Sequence, residues 1–120
     1  MKIITAIFLC LVFSMPVIAQ TNSAKPNLPD PNKKIQTVVA ACGECRLGMP
    51  GISCDLAVRI NGKSYFVDGT NIDSHGDAHA KDGFCETVRK VEVQGEIVNN
   101  RFMATYFKLL PEQKKKASAN

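Results

Sequence analysis

The chain has 120 residues, 45% of them apolar, and a formal net charge of +4. A length of this order holds one small domain, and so mild a charge argues against a face that grips nucleic acid through its phosphates. Five cysteines and two histidines are then the side chains best suited to chemistry.

Met1-Lys2, the apolar run Ile3 to Phe13 and the segment Ser14-Met15-Pro16-Val17-Ile18-Ala19 read as a secretory signal peptide over 1–19, cut before Gln20. A run of about 11 apolar residues is too short to span a bilayer. Cys10 lies inside that run, whereas a lipoprotein site needs a cysteine just past it. The expected product is periplasmic or secreted, with no stable membrane insertion. It keeps four cysteines, which an oxidising compartment pairs in one of three ways, or which hold a metal. Without Lys2 the 15 basic side chains become 14, against 11 acidic ones, or +3.

Residues 20–34 carry Pro26, Pro29 and Pro31 among polar neighbours and read as a disordered linker; 111–120 reads as a disordered basic tail. Between them, 35–110 is one domain. A core of that size gives a thin margin of stability, so a covalent or metal staple helps it even without another purpose.

Ile35 to Ala41 reads as a strand running into Cys42. Leu56, Val58 and Ile60 then alternate with Asp55, Ala57 and Arg59, the period of a half-buried strand. Asn61-Gly62 supplies the positive-φ pair of a two-residue hairpin turn, which sets Val58 opposite Tyr65 and Phe66 on the other face beside Ala57. Asp82 is placed to cap a short helix with Phe84 and Val88 on one face. A second hairpin runs from Lys90 to Leu110 through Asn99-Asn100, with Gly95 as a bulge. Five strands with one helix after the third give a mainly β fold: a small five-stranded OB-like barrel, or a curled antiparallel sheet, with one short helix.

Cys42-x-x-Cys45 has the spacing that lets two sulfurs reach one tetrahedral ion. It also suits a disulfide set with Cys54 or Cys85, the plainer reading for a small exported domain. As a redox pair it lacks the strand and helix context that activates a thiolate, because Gly43 and Leu47-Gly48-Met49-Pro50-Gly51 read as a loop. His75-x-x-x-His79 sets two imidazoles one helical turn apart, with Asp77 between them, a spacing that lets both bind one ion. The plainer alternative makes them polar caps in an exposed loop. No nucleophile elbow or phosphate loop is present, and basic residues beside Phe102 and Phe107 fit a half-buried β surface better than nucleic acid.

The segments Cys42-Gly43-Glu44-Cys45, Cys54-Asp55-Leu56-Ala57-Val58-Arg59-Ile60, Tyr65-Phe66-Val67-Asp68-Gly69 and His75-Gly76-Asp77-Ala78-His79-Ala80-Lys81-Asp82-Gly83-Phe84-Cys85 resemble a family of small exported bacterial proteins of unknown function. The resemblance covers about Cys42 to Leu110. It implies export from a bacterium and carries no activity with it.

The reading is an exported binding protein, not an enzyme, whose partner is a metal ion (zinc or copper) or another small ligand. The expected ligands are Cys42, Cys45, His75 and His79. Cys54 and Cys85 are further ligands or a disulfide, and Asp77 a further candidate that orients an imidazole. The rival is a disulfide-stapled interaction module, and the third class a thiol-disulfide oxidoreductase. No protein partner is named by the sequence.

Overall fold

The computed structural model of the protein describes residues 28–112. The expected signal peptide (1–19), the first part of the linker and most of the basic tail lie outside the described residues. Five strands form: β1 (Gln36–Cys42), β2 (Leu56–Ile60), β3 (Lys63–Asp68), β4 (Arg89–Val98) and β5 (Arg101–Leu109). One four-residue helix, α1 (Gly43–Arg46), follows β1. No helix among the described residues is long and apolar enough to cross a membrane.

The strands close into a barrel in the order β1-β2-β3-β5-β4, with β4 returning to β1. This is the OB-like barrel rather than the curled antiparallel sheet. It is mixed, because β3 and β5 run parallel, with Val67 opposite Phe102 and Asp68 opposite Met103.

Both hairpins form at the turns the sequence marks. Asn61 and Gly62 have φ of 50° and 82°, Asn99 and Asn100 of 51° and 61°. Two successive positive-φ residues match the right-handed twist of the strands they join. Val58 stands opposite Tyr65 and Ala57 opposite Phe66, the expected register.

Closure depends on a bend. The ladder of β4 with β5 shifts register between Gln94 and Gly95. Such a bulge sharpens the local twist. It lets the first half of β4 pair with β1 while the start of β5 reaches β3. A Cβ on Gly95 would run into the Met103 carbonyl and the Phe102 ring. Only glycine fits that approach.

The barrel interior is filled by Leu56, Val58, Val67, Val91, Val93, Phe102 and Phe107, with Ile72, Ala78 and Phe84 from the long β3–β4 connection. A second, smaller cluster lies outside the β1–β2 wall, where Leu47 and Met49 cover Ala41, Ala57 and Phe66. Apolar members on both faces of the first hairpin are thereby explained: one faces the core, the other α1 and its loop.

The helix expected after Asp82 is not there. Phe84 C=O accepts from Cys42 N–H (2.9 Å) and Ala78 C=O from Cys85 N–H (2.9 Å), so the segment spends these backbone groups on distant partners and stays a series of turns. Local capping signals lose to tertiary hydrogen bonds here.

At the bulge the Gln94 side chain, 3% exposed, clamps the chain ahead of β1. Its Nε2 donates to the carbonyls of Asp30 (2.9 Å) and Lys33 (2.7 Å), and its Oε1 accepts from Asp30 N–H (2.8 Å). Gln94→Ala is expected to release residues 30–33 and to cost about 1–3 kcal/mol. Urea denaturation and the rate of proteolysis at Lys33 and Lys34 check both effects.

Candidate metal centre

Four cysteines meet at one end of the barrel. Cys42 ends β1, Cys45 lies on α1, Cys54 precedes β2, and Cys85 belongs to the β3–β4 connection. Their Sγ atoms all lie within 4.8 Å of one another. Sulfurs at the corners of a tetrahedron around zinc stand about 3.8 Å apart, from a zinc–sulfur length of about 2.3 Å. All six separations fall within reach of one ion, while Cys42–Cys54 at 3.2 Å and the bonding contact of Cys54 with Cys85 are closer than the tetrahedral spacing.

Backbone hydrogen bonds frame the group. Cys42 N–H donates to Phe84 C=O (2.9 Å), which fixes the β1 end beside Cys85, and Gly43 N–H donates to Asp55 C=O (2.8 Å), which fixes it beside Cys54. The Cys42 sulfur caps α1 by accepting from Cys45 N–H at 3.4 Å. This helical turn stands where the sequence reads as loop, and it points both sulfurs of the Cys-x-x-Cys to one place. Arg46, at its end, donates from Nε to Cys85 C=O (2.8 Å) and lies 3.6 Å from Glu86. Gly43 is required beneath the turn, since a Cβ there would press on the Phe66 ring and the Met49 sulfur.

Burial is graded. Cys42 and Cys85 are buried, Cys54 is half-buried and Cys45 is exposed. Burial, reinforced by the neighbouring Cys45 and Glu44, pushes the Cys42 thiol up to about 11. A thiol so raised holds its proton at neutral pH in the metal-free chain, and an ion that binds there displaces it. Cys42 Sγ lies 3.2 Å from Cys54 Sγ and 3.5 Å from Glu44 Oε2, whose other contact is the Asp55 N–H (3.0 Å). The Cys54 and Cys85 sulfurs are in bonding contact, yet their Cα atoms stand 7.3 Å apart. A disulfide rarely bridges more than about 6.8 Å without backbone movement, whereas ligands around an ion have no such limit.

The histidines are placed apart from this group. His75 is half-buried, its ring 4.5 Å from that of Phe107 and 6.2 Å edge-on to that of Phe84, with Nε2 2.8 Å from Thr70 Oγ1. It lines a cavity of about 100 Å³ with Asp77, Asp82 and Arg89. His79 is exposed, and Asp77 Oδ1 accepts its backbone N–H at 2.9 Å. The helical spacing that would have joined the two imidazoles needs a helix, and the segment is a loop of turns that sends one ring inward and one outward. Asp77 closes a turn rather than orienting an imidazole. Of the four expected ligands the structure thus brings Cys42 and Cys45 together, with Cys54 and Cys85 as their companions.

Residues 36–110 match a family described as a family of unknown function (DUF6370). The chain belongs to that family. The matched stretch runs from the first residue of β1 to just past β5 and takes in all four clustered cysteines and both histidines. No curated protein and no solved structure matches the chain.

Glu44, Arg46 and Thr70 are the supporting residues that sequence reasoning did not single out. Only Glu44 and Arg46 carried a signal, by their position beside Cys45. For His75, burial lowers the pKa below its usual value. The folded state therefore favours the neutral ring, and its contribution to stability is full above about pH 6.5 and is lost as pH falls below that value, where the unfolded chain takes up the proton first. Urea midpoints measured from pH 7.5 downward are expected to fall for the native chain and to fall less steeply for His75→Leu.

Proposed function

We propose that the protein is an exported metal-binding protein that holds one zinc ion through Cys42, Cys45, Cys54 and Cys85. The observation that carries this reading is the convergence of four sulfurs within 4.8 Å, from three separate stretches of the chain, onto a frame of backbone hydrogen bonds. A tetrathiolate is soft and closed, the donor set of a zinc site that keeps its ion rather than one that activates a water. Four thiolates around a divalent ion leave two net negative charges, and the Arg46 guanidinium, held against the Cys85 carbonyl, is placed to offset part of them. Export rests on the leader-like residues 1–19.

One specific contact favours a second reading. The bonding contact of Cys54 with Cys85 supports a disulfide staple that leaves Cys42 and Cys45 as thiols. The Cα separation favours the metal.

Cobalt(II), added to the reduced chain as a spectroscopic stand-in for zinc, is expected to bind once per chain and give the visible bands of tetrahedral thiolate coordination. Cys45→Ser should weaken that binding by roughly 100-fold or more, since removing a ligand forfeits part of a large binding free energy. His75→Ala and His79→Ala should leave the spectrum unchanged; loss of binding in either would return the imidazoles to the ligand set. An intact mass two hydrogens light, with no metal taken up by protein purified without reductant, would establish the disulfide reading in place of the metal.

A further inference from the structure

At the opposite end of the barrel from the cysteines, β1 and β2 part early. β1 is bonded to β4 along Gln36 to Ala40, but to β2 only from Val39 to Cys42. Val38 and Ile60 are both strand residues and would form the next pair, and they do not. Between them opens a groove of about 840 Å³, bordered by Lys34 to Val39 on one side and Arg59 to Asn61 on the other.

Two properties of this groove point to the same class of occupant. Successive residues of a strand direct their N–H and C=O groups to alternate sides, so at least one of Gln36, Thr37 and Val38 presents both groups to the groove, away from β4. An open length of strand is a template for a further extended chain. The border is also cationic. Lys34, Arg59 and Lys90 line it, and among the described residues no carboxylate does. Lys90 and Arg59 flank Val39 in cross-strand register, and Arg59 is steadied by its Nε bond to Ser64 Oγ (3.2 Å). The nearest acid in register, Glu92 opposite Thr37, stands opposite Lys108 on β5 and does not line the groove.

We propose that the β1–β2 groove binds an acidic peptide in extended conformation. The peptide backbone pairs with the open edge of β1, and its carboxylates meet Lys34, Arg59 and Lys90. An extended peptide is favoured over other polyanions because a strand edge rewards a matching main chain, which a sulfated polysaccharide or a nucleic acid lacks. The groove spans six residues of chain, Lys34 to Val39, about 20 Å at strand rise, so a peptide of about six residues fills it. This inference is independent of the metal reading, which concerns the other end of the barrel.

Fluorescence anisotropy with a labelled hexaglutamate at low salt, on the full chain without its leader, tests the proposal. Binding is expected for hexaglutamate and not for hexalysine. Arg59→Glu with Lys90→Glu should weaken it by about tenfold or more, with an unchanged circular dichroism spectrum and melting temperature as the check on folding. A hexaglutamate N-methylated at alternate residues keeps its charge and loses its strand-pairing groups, and it should bind about tenfold more weakly. Amide chemical-shift changes should fall on Gln36 to Val39. No binding of hexaglutamate would overturn the proposal. Equal binding of the N-methylated peptide, or displacement by heparin or oligothymidylate with the shifts confined to side chains, would reduce the groove to an unspecific cationic patch and overturn it as well.

Discussion

The hydrogen bond from Cys42 N–H to Phe84 C=O, together with that from Gly43 N–H to Asp55 C=O, holds the site together before any sulfur is considered. β1 ends where it does because its last amide is drawn out of the sheet toward the long β3–β4 connection. The same connection sends Phe84 into the core beside Phe107 and leaves Cys85 facing Cys54. The sulfurs of Cys42 and Cys85 are thus delivered by backbone whose N–H groups already have partners. That is the condition for a buried or half-buried site to be held in shape by its surroundings.

The barrel supplies the rest. A bulge at Gln94 and Gly95 bends β4 and β5 so that one long hairpin contacts both β1 and β3. Closure puts the end of β1 and the start of β2 side by side at one mouth, where the cysteine loops emerge. At the other mouth the two strands diverge. The two ends of one strand pair therefore carry different surfaces: soft sulfur donors on one, cations and an open edge on the other. A single strand, β1, joins them over about 20 Å.

Much of the fold was legible because its signals are local. Alternation of Leu56, Val58 and Ile60, the Asn61-Gly62 and Asn99-Asn100 turns and the bulge glycine are set by period-two burial and by positive φ, which no distant residue has to supply. The helix was misplaced for the opposite reason. Asp82 and Gly83 offer capping chemistry, but Phe84 and Cys85 commit backbone groups to Cys42 and Ala78, while Cys42 gains a cap only through its own sulfur. In the site, the cysteines were visible as residue types and the Cys-x-x-Cys as a pair. The role of His75 and His79 was not, since their four-residue spacing has meaning only on a helix, and a loop of turns separates an inward ring from an outward one. The wedge between β1 and β2 leaves no mark in composition. It is a property of where pairing stops.

Closure also bears on how copies of the chain meet one another. An open five-stranded sheet would leave two outer strands with unpaired N–H and C=O groups along their length, the usual template for runaway sheet growth. Here β4 covers one side of β1 along Gln36 to Ala40 and β5 meets β3 at Val67 and Asp68, and at the splayed start of β1 the neighbouring Lys34, Arg59 and Lys90 repel an identical strand. The charges that border the groove thus also act as gatekeepers, and they keep like chains apart where β1 and β2 part.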